Sequence, residues 1–194
     1  GVYEMISGHR RLHAASRVGL NVIPAIIKPM TNDEAVVAMV DANVQREEIL
    51  PSEKAFAYKM KLDALSHQGK ADDTSRQVGE KLLSVTKVGR DANESERQVQ
   101  RYIRLTELIP QLLDMVDTKK LKFNPAVEIS YITQAEQQLL IEVMDEDEVT
   151  PSLSQAQQIK KMSQEKRCTK DALHALLKIT KVKERNVVIK HEII

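Results

Sequence analysis

Ser7-Gly8-His9-Arg10-Arg11 sets a glycine and two adjacent arginines where a short apolar segment gives way to a helical pattern. A helix N-terminus leaves backbone N–H groups unpaired and carries partial positive charge, so it attracts anions. Glycine lets backbone approach a ligand closely, and paired arginines add forked donors matched to phosphate oxygens. The combination suits a polyphosphate. It also suits a surface helix whose first turn carries two cations, at about 0.3–1 kcal/mol each against the macrodipole, a cost an anionic ligand would offset. His9 and His13 stand one helical turn apart, a spacing that can grip a metal ion, but the local sequence supplies no third position for a zinc site.

A second group of candidates is Asp41-Ala42-Asn43-Val44-Gln45-Arg46-Glu47-Glu48. Val36, Met39, Val40 and Val44 fall at i, i+3, i+4 and i+8 of a helix, and Asn43 at i+7 shares that inward stripe. An amide on an apolar face needs partners, either backbone carbonyls of the core or a ligand's phosphate.

The third group is on the segment Ser95–Leu108. Val99, Tyr102, Ile103 and Thr106 form one face, whereas Arg97, Arg101 and Arg104 at i, i+4 and i+7 form the opposite one, flanked by Gln98 and Gln100. Arginine pairs with guanine edges and glutamine with adenine, so this face has the chemistry of a helix that reads DNA. Glu94, Glu96 and Glu107 make a solvated, ion-paired bundle face the competing reading. Lys119, Lys120 and Lys122 add candidate phosphate contacts, although exposed lysines are more often part of a solvated loop.

These residues need elements to position them. Tyr3–Ser7 reads as a strand, Arg10–Val18 as a helix stopped at Gly19, and Val22–Lys28 as a second strand before Pro29. From Thr31 to about residue 180 the pattern is helical. Thr31-x-x-Glu34 and Thr133-x-x-Glu136 are capping boxes, Pro51-Ser52-Glu53 and Asn124-Pro125 open further helices, and Ser95 with Gln98 opens another. The polar run Gln68–Ser75 marks a boundary, and Asp145–Pro151 marks a weaker one. The tail Asn186–Ile194 has the β-branched content of a strand, and with no partner evident in the sequence it reads equally as an end that orders on assembly or frays. Ser75–Leu83 reads as a short helix, which leaves the eleven residues Ser84–Glu94 before the next helix. A helix-turn-helix joins its helices by about three or four residues, so part of that interval must extend the first helix or form an excursion.

Composition narrows the classes. The 194 residues carry 29 Lys+Arg against 28 Asp+Glu, one Cys, no Trp and 42% hydrophobic residues, which fits a globular chain able to bury a core. Residues 75–122 lean basic, with 10 basic and 7 acidic side chains, a modest excess that argues for nucleic acid only through where its arginines point. No stretch approaches the roughly 18 apolar residues of a membrane span, no leader pattern opens the chain, and Cys168 has no disulfide partner. The expectation is a cytoplasmic protein in a reducing compartment. Gly1 stands in place of an initiator Met, so a piece of a longer chain is expected.

Gly8-His9-Arg10-Arg11, a helix, Val22–Ile27, and then Asn43-Val44-Gln45-Arg46 leading into Leu50-Pro51-Ser52-Glu53-Lys54-Ala55 resembles the nucleotide-binding part of the ParB/RepB partition proteins. In that family a Gly-Glu-Arg-Arg box and a Glu-Asn-x-Gln-Arg box form a CTP site. The resemblance runs from about Tyr3 to Asn124 and beyond. It implies an α+β, mostly helical fold, with a small α/β nucleotide-binding unit at 1–70, a helix-turn-helix DNA-binding domain at 71–132 and a helical tail at 133–194. It implies Gly8, Arg10, Arg11, Asn43, Gln45 and Arg46 as the site for CTP with Mg²⁺, and Ser95, Arg97, Gln98, Gln100, Arg101 and Arg104 as the DNA-reading set.

It further implies a homodimer on palindromic double-stranded DNA, closed into a clamp by CTP during plasmid or chromosome segregation, with a ParA-type ATPase as partner and a nucleoid- or plasmid-associated location. His9 and Ala42 stand where the family has its box glutamates, so nucleotide binding is expected to survive, hydrolysis is in doubt, and no catalytic residue is assigned. Asp41 would replace a lost acid only if the helix end were re-registered. Those substitutions favour an alternative, a helix-turn-helix transcriptional regulator without the nucleotide switch. A third reading is an adaptor whose tail from Ser152 onward offers Ile159, Met162, Leu173 and Leu176 to other proteins; these residues more often serve as the bundle's own core.

Overall fold

The computed structural model describes residues 3–44, 49–68 and 77–187, apart from the side chains of 68, 77–83 and 179–187. The described residues are mostly helical and contain no strand. They fall into two compact units, one of Gly1–Ile49 with Phe56–Gln100, the other of Leu50–Ala55 with Arg101–Ile194.

In the first unit, α1 (His9–Arg17) follows Gly8 and ends where Gly19 takes φ 76°, with Leu20 N–H donating to Ala15 O at 3.0 Å. The segments expected as strands, Tyr3–Ser7 and Val22–Lys28, are not strands here, so the α/β unit is absent from the described residues. Val22 and Ile26 are 84% and 87% exposed, and Tyr3 and Ile27 are exposed as well. β-branched content reports fitness for a pleated, half-buried surface, and a strand forms only where a neighbour supplies the ladder and the covering face.

α2 (Asn32–Val44) opens on the predicted box: Thr31 N–H donates to Glu34 Oε2 at 2.7 Å and Glu34 N–H to Thr31 Oγ1 at 3.3 Å. Those bonds, the backbone one foremost, hold the Glu34 carboxyl below its ordinary pKa. α3 (Pro51–Gln68) is shared, its first turn belonging to the second unit and the rest to the first. α4 spans Gln77–Asp91. Val40, Tyr58, Leu62, Leu65, Val85, Val88 and Val99 are buried in this unit. The boundary segment expected at Gln68–Ser75 lies almost wholly outside the described residues, as do the last residues of the tail; Asn186 and Val187 end a helix rather than begin a strand.

The second unit takes the end of α5 (Glu96–Arg104), a 3₁₀ turn Leu105–Glu107, and then α6 (Pro110–Asp117), α7 (Phe123–Ile129), α8 (Gln134–Asp147), α9 (Leu153–Gln164) and α10 (Lys170–Val187). Ala55, Leu105, Leu112, Ile129, Leu140, Ile159 and Leu173 share one apolar core. Ile159 and Leu173 are fully buried in it and Met162 and Leu176 pack against it, so the residues considered as an adaptor face are the bundle's own core. Capping boxes at Thr133/Glu136 and Ser152/Gln155 open α8 and α9. Buried Gln137 closes helix ends elsewhere: its Oε1 accepts from Ile109 N–H at 2.9 Å, and its Nε2 donates to Glu107 O and Ile132 O, each at 3.2 Å. Asp117 accepts from Ser52 N–H at 3.0 Å and from the Ser52 hydroxyl, which pins the first turn of α3.

Candidate functional site

Gly8 sits at φ 96°, the left-handed region that glycine enters without a Cβ penalty, and nothing lies within 4 Å of where a Cβ would project. Its carbonyl accepts from Arg11 N–H at 2.9 Å and Leu12 N–H at 3.0 Å, which starts α1. No side chain caps this N-terminus and its first turn holds no acidic residue, while Arg10 and Arg11 are exposed. The backbone donors and the two guanidiniums are therefore open to an anion. His9 and His13 are exposed too, and among the described residues no group of three His, Cys, Asp or Glu is placed to hold a metal.

On α2, Val36, Met39, Val40, Asn43 and Val44 form a half-buried to buried stripe, and Ala42 is exposed. Asp41 is committed elsewhere. Its carboxylate pairs with the Lys61 ammonium, which also reaches Asp91 Oδ2 at 2.7 Å, so one buried lysine ties α2, α3 and α4 together. This placement leaves Asp41 bound to a cation rather than presented as a replacement acid. Gln45 and Arg46 lie outside the described residues.

Within the interval between the two helices of the DNA-reading candidate, Ser84–Asp91 extends the first helix, one of the two outcomes the sequence left open. α4 continues to Asp91, well past Leu83, and the turn to α5 is the four residues Ala92–Ser95. Asn93 at φ 54° stops α4, with Glu94 N–H donating to Gly89 O at 2.8 Å and Asn93 N–H to Arg90 O at 3.2 Å, the paired bonds of a Schellman motif. Ser95 Oγ then accepts from Gln98 N–H at 3.2 Å and starts α5. The turn lies so close on α4 that a Cβ at Gly89 would sit 2.7 Å from Glu94 O. Thr86 Oγ1 also donates to Glu96 Oε1 at 2.5 Å.

Of the three arginines on α5, Arg97 is exposed and Arg101 and Arg104 are half-buried. Arg101 donates to Asn124 Oδ1 and lies 5.1 Å from the Phe123 ring centre. Arg104 donates to Ser130 O and, at 3.2 Å, to Ser130 Oγ, and stacks 4.2 Å from the Tyr131 ring. Lys160 lies 3.8 Å from that ring and 2.9 Å from Glu128. Thus Ser95, Arg97 and Gln100 are the open residues of the predicted set, Gln98 is half-buried, and Arg101 and Arg104 pack onto α7. Lys119, Lys120 and Lys122 are exposed.

Three positions were missed in the sequence. Lys61 interrupts the apolar stripe Tyr58, Leu62 and Leu65, a signal that was legible. Gly89 and Asn93 mark the tight turn, and only an αL stop at Asn93 would have revealed it.

Residues 1–44 match the family described as the ParB N-terminal domain. The chromosome-partitioning protein Spo0J of Thermus thermophilus is 30% identical over 115 residues, 59% of this chain and 36% of that protein. A probable chromosome-partitioning protein ParB of Coxiella burnetii is 35% identical over 86 residues, 43% of this chain and 28% of that protein. A nucleoid occlusion protein of a Geobacillus species is 41% identical over 63 residues, 32% and 22% respectively. The matched region thus spans at most 36% of the length of these three relatives. Among solved structures, the C-terminally truncated ParB of Caulobacter crescentus complexed to the centromeric parS site matches with a TM-score of 0.48 and 17% identity, covering 83% of this chain and 74% of that one. The chain is thus similar to ParB-type partition proteins, through the N-terminal domain matched at residues 1–44 and through regional matches to chromosome-partitioning relatives.

Proposed function

We propose that this chain is a site-specific DNA-binding partition protein that acts as a CTP-dependent clamp in chromosome or plasmid segregation. The observation that carries the proposal is the Ala92–Ser95 turn, which brings α4 and α5 to the spacing of a helix-turn-helix and leaves Arg97 and Gln100 open on the second helix. In this reading Arg97, Gln98 and Gln100 face base edges. Ser95 fixes the helix start, Arg101 and Arg104 brace α5 on α7, and Lys119, Lys120 and Lys122 hold phosphates.

The uncapped start of α1 fits a triphosphate: Gly8 gives backbone access, and Arg10 and Arg11 supply paired donors. Asn43, Gln45 and Arg46 complete the site. Bound CTP with Mg²⁺ would bias the unit toward a closed form by binding that form more tightly. A homodimer on a palindromic site and a ParA-type ATPase partner belong to the same proposal, as does a nucleoid- or plasmid-associated location.

The second reading, a transcriptional regulator that has lost the nucleotide switch, is favoured by one observation, the engagement of Asp41 by Lys61 beside the non-acidic His9 and Ala42. It predicts DNA binding indifferent to any nucleotide.

Selection of duplexes from a randomised library tests the DNA assignment. Arg97→Ala and Gln100→Ala are each expected to weaken binding to the selected duplex by about 1–3 kcal/mol, with little effect on unrelated DNA. Unchanged selectivity in both variants would contradict it.

A further inference from the structure

The first turn of α5 carries an exposed acid that the proposed function does not use. Glu96 follows Ser95, whose hydroxyl starts the helix, and precedes Arg97; Gln100 stands one helical turn on. Glu96, Arg97 and Gln100 are all exposed, so they form one patch at the start of the helix. The sequence offers Glu96 as part of an ion-paired face. The structure gives it a neutral partner instead: the half-buried Thr86 of α4 donates from Oγ1 to Glu96 Oε1 at 2.5 Å, across the Ala92–Ser95 turn. Among the described side chains no lysine or arginine pairs with Glu96, and Oε2 is left for an external donor.

A helix start favours an acid, but the same acid meets phosphates when the helix enters a groove. A carboxylate with no cation on a DNA-reading face is therefore a cost unless a base supplies a donor. In the major groove guanine presents two acceptors and thymine an acceptor with a methyl group, and a carboxylate rejects both. Adenine sets its amino donor beside the N7 acceptor, whereas cytosine presents the N4 amino group alone. We infer that Glu96 is a specificity-determining residue that accepts from the N4 amino group of one cytosine, with Thr86 as the residue that positions it. This inference rests on the DNA reading of α5 above. Arg97 and Gln100 attract guanine and adenine, so Glu96 adds a third, differently coded base and repels sites that lack it.

The experiment compares, position by position, the duplexes selected from a randomised library by the wild type, Glu96→Gln and Thr86→Val, with affinities measured at fixed salt. At one position the wild type is expected to prefer cytosine by about tenfold or more. Glu96→Gln should shift that position toward adenine, which an amide pairs through N6 and N7, leave the other positions as they were, and bind unrelated DNA about two- to tenfold more tightly. Thr86→Val, which keeps the shape and removes the hydroxyl, should cut the cytosine preference by about threefold or more; full preference in that variant overturns the part given to Thr86. Identical base preferences in the wild type and Glu96→Gln overturn the inference. So does a uniform loss of binding in Glu96→Gln with a lowered melting temperature, which would mark a helix-start role only. A folded wild type that selects no sequence removes the DNA reading of α5 itself.

Discussion

The two units are held together by different means. The second is an apolar bundle in which Leu105, Leu112, Ile129, Leu140 and Leu173 are wholly buried, and its buried polar side chains Ser130, Gln137 and Gln155 serve backbone carbonyls and helix ends. Among the described residues, the first has fewer buried apolar side chains and places a paired lysine among them. Packing of the first kind resists deformation because every displacement opens a void. A buried ion pair instead fixes a geometry that depends on where its partners are, so a region built on one responds when a partner moves.

That contrast predicts a ranking. Asp41→Asn with Asp91→Asn would strand the Lys61 ammonium and should destabilise by about 3–5 kcal/mol in urea unfolding, more than Lys61→Met, which strands nothing. Equal losses would mean that the charge is not what organises this unit. Leu140→Ala should destabilise by about 2–5 kcal/mol, read in the same way, because the bundle cannot collapse onto the void. Gly89→Ala drives a Cβ against Glu94 O, and relaxing that clash should lower stability by about 1–3 kcal/mol and weaken specific DNA binding beyond what the melting change explains. Gln137→Leu leaves Ile109 N–H and two carbonyls without their partner, a loss of about 1–3 kcal/mol.

The smallest effect is in the docking of α10. The Glu146 carboxyl is held below its ordinary pKa mainly by a 2.5 Å bond from Lys170, and Asp147 by a 2.6 Å contact with His174, against the upward push of desolvation. Lowered carboxylate pKa values stabilise above the unfolded values, near pH 4, and that stability is lost as pH falls through the folded ones. Amide exchange in α10 should therefore rise on acidification below about pH 4 while α7 stays protected; simultaneous loss would show that these contacts add nothing separate. Cys168, pushed up to about 11 by burial and by Glu136, should react slowly with thiol reagents at neutral pH.

The parts of this fold that were legible in the sequence are those set by local chemistry. Thr31 and Glu34, Thr133 and Glu136, and Ser95 with Gln98 announce their helices because the bonds span only three residues. The strands expected at Tyr3–Ser7 and Val22–Lys28 do not form because short apolar content between turn signals says nothing of the neighbour that must pair with it. Arg101 and Arg104 share helical spacing with Arg97, yet Asn124, Ser130 and Tyr131 decide where their guanidiniums rest, and those partners lie more than twenty residues away. The Lys61 pair spans twenty residues to Asp41 and thirty to Asp91, so only the lysine's place on an apolar stripe betrayed it. Distance along the chain, more than residue type, divided what could be read from what could not.

The most direct test of the account is equilibrium binding of CTP, compared with ATP, GTP and UTP, to the wild type and to Arg11→Ala, with Mg²⁺ present. The account predicts selective CTP binding that Arg11→Ala abolishes while site-specific DNA binding stays largely intact. A folded chain that binds no nucleotide, or binds all four alike with Arg11→Ala unchanged, would contradict it.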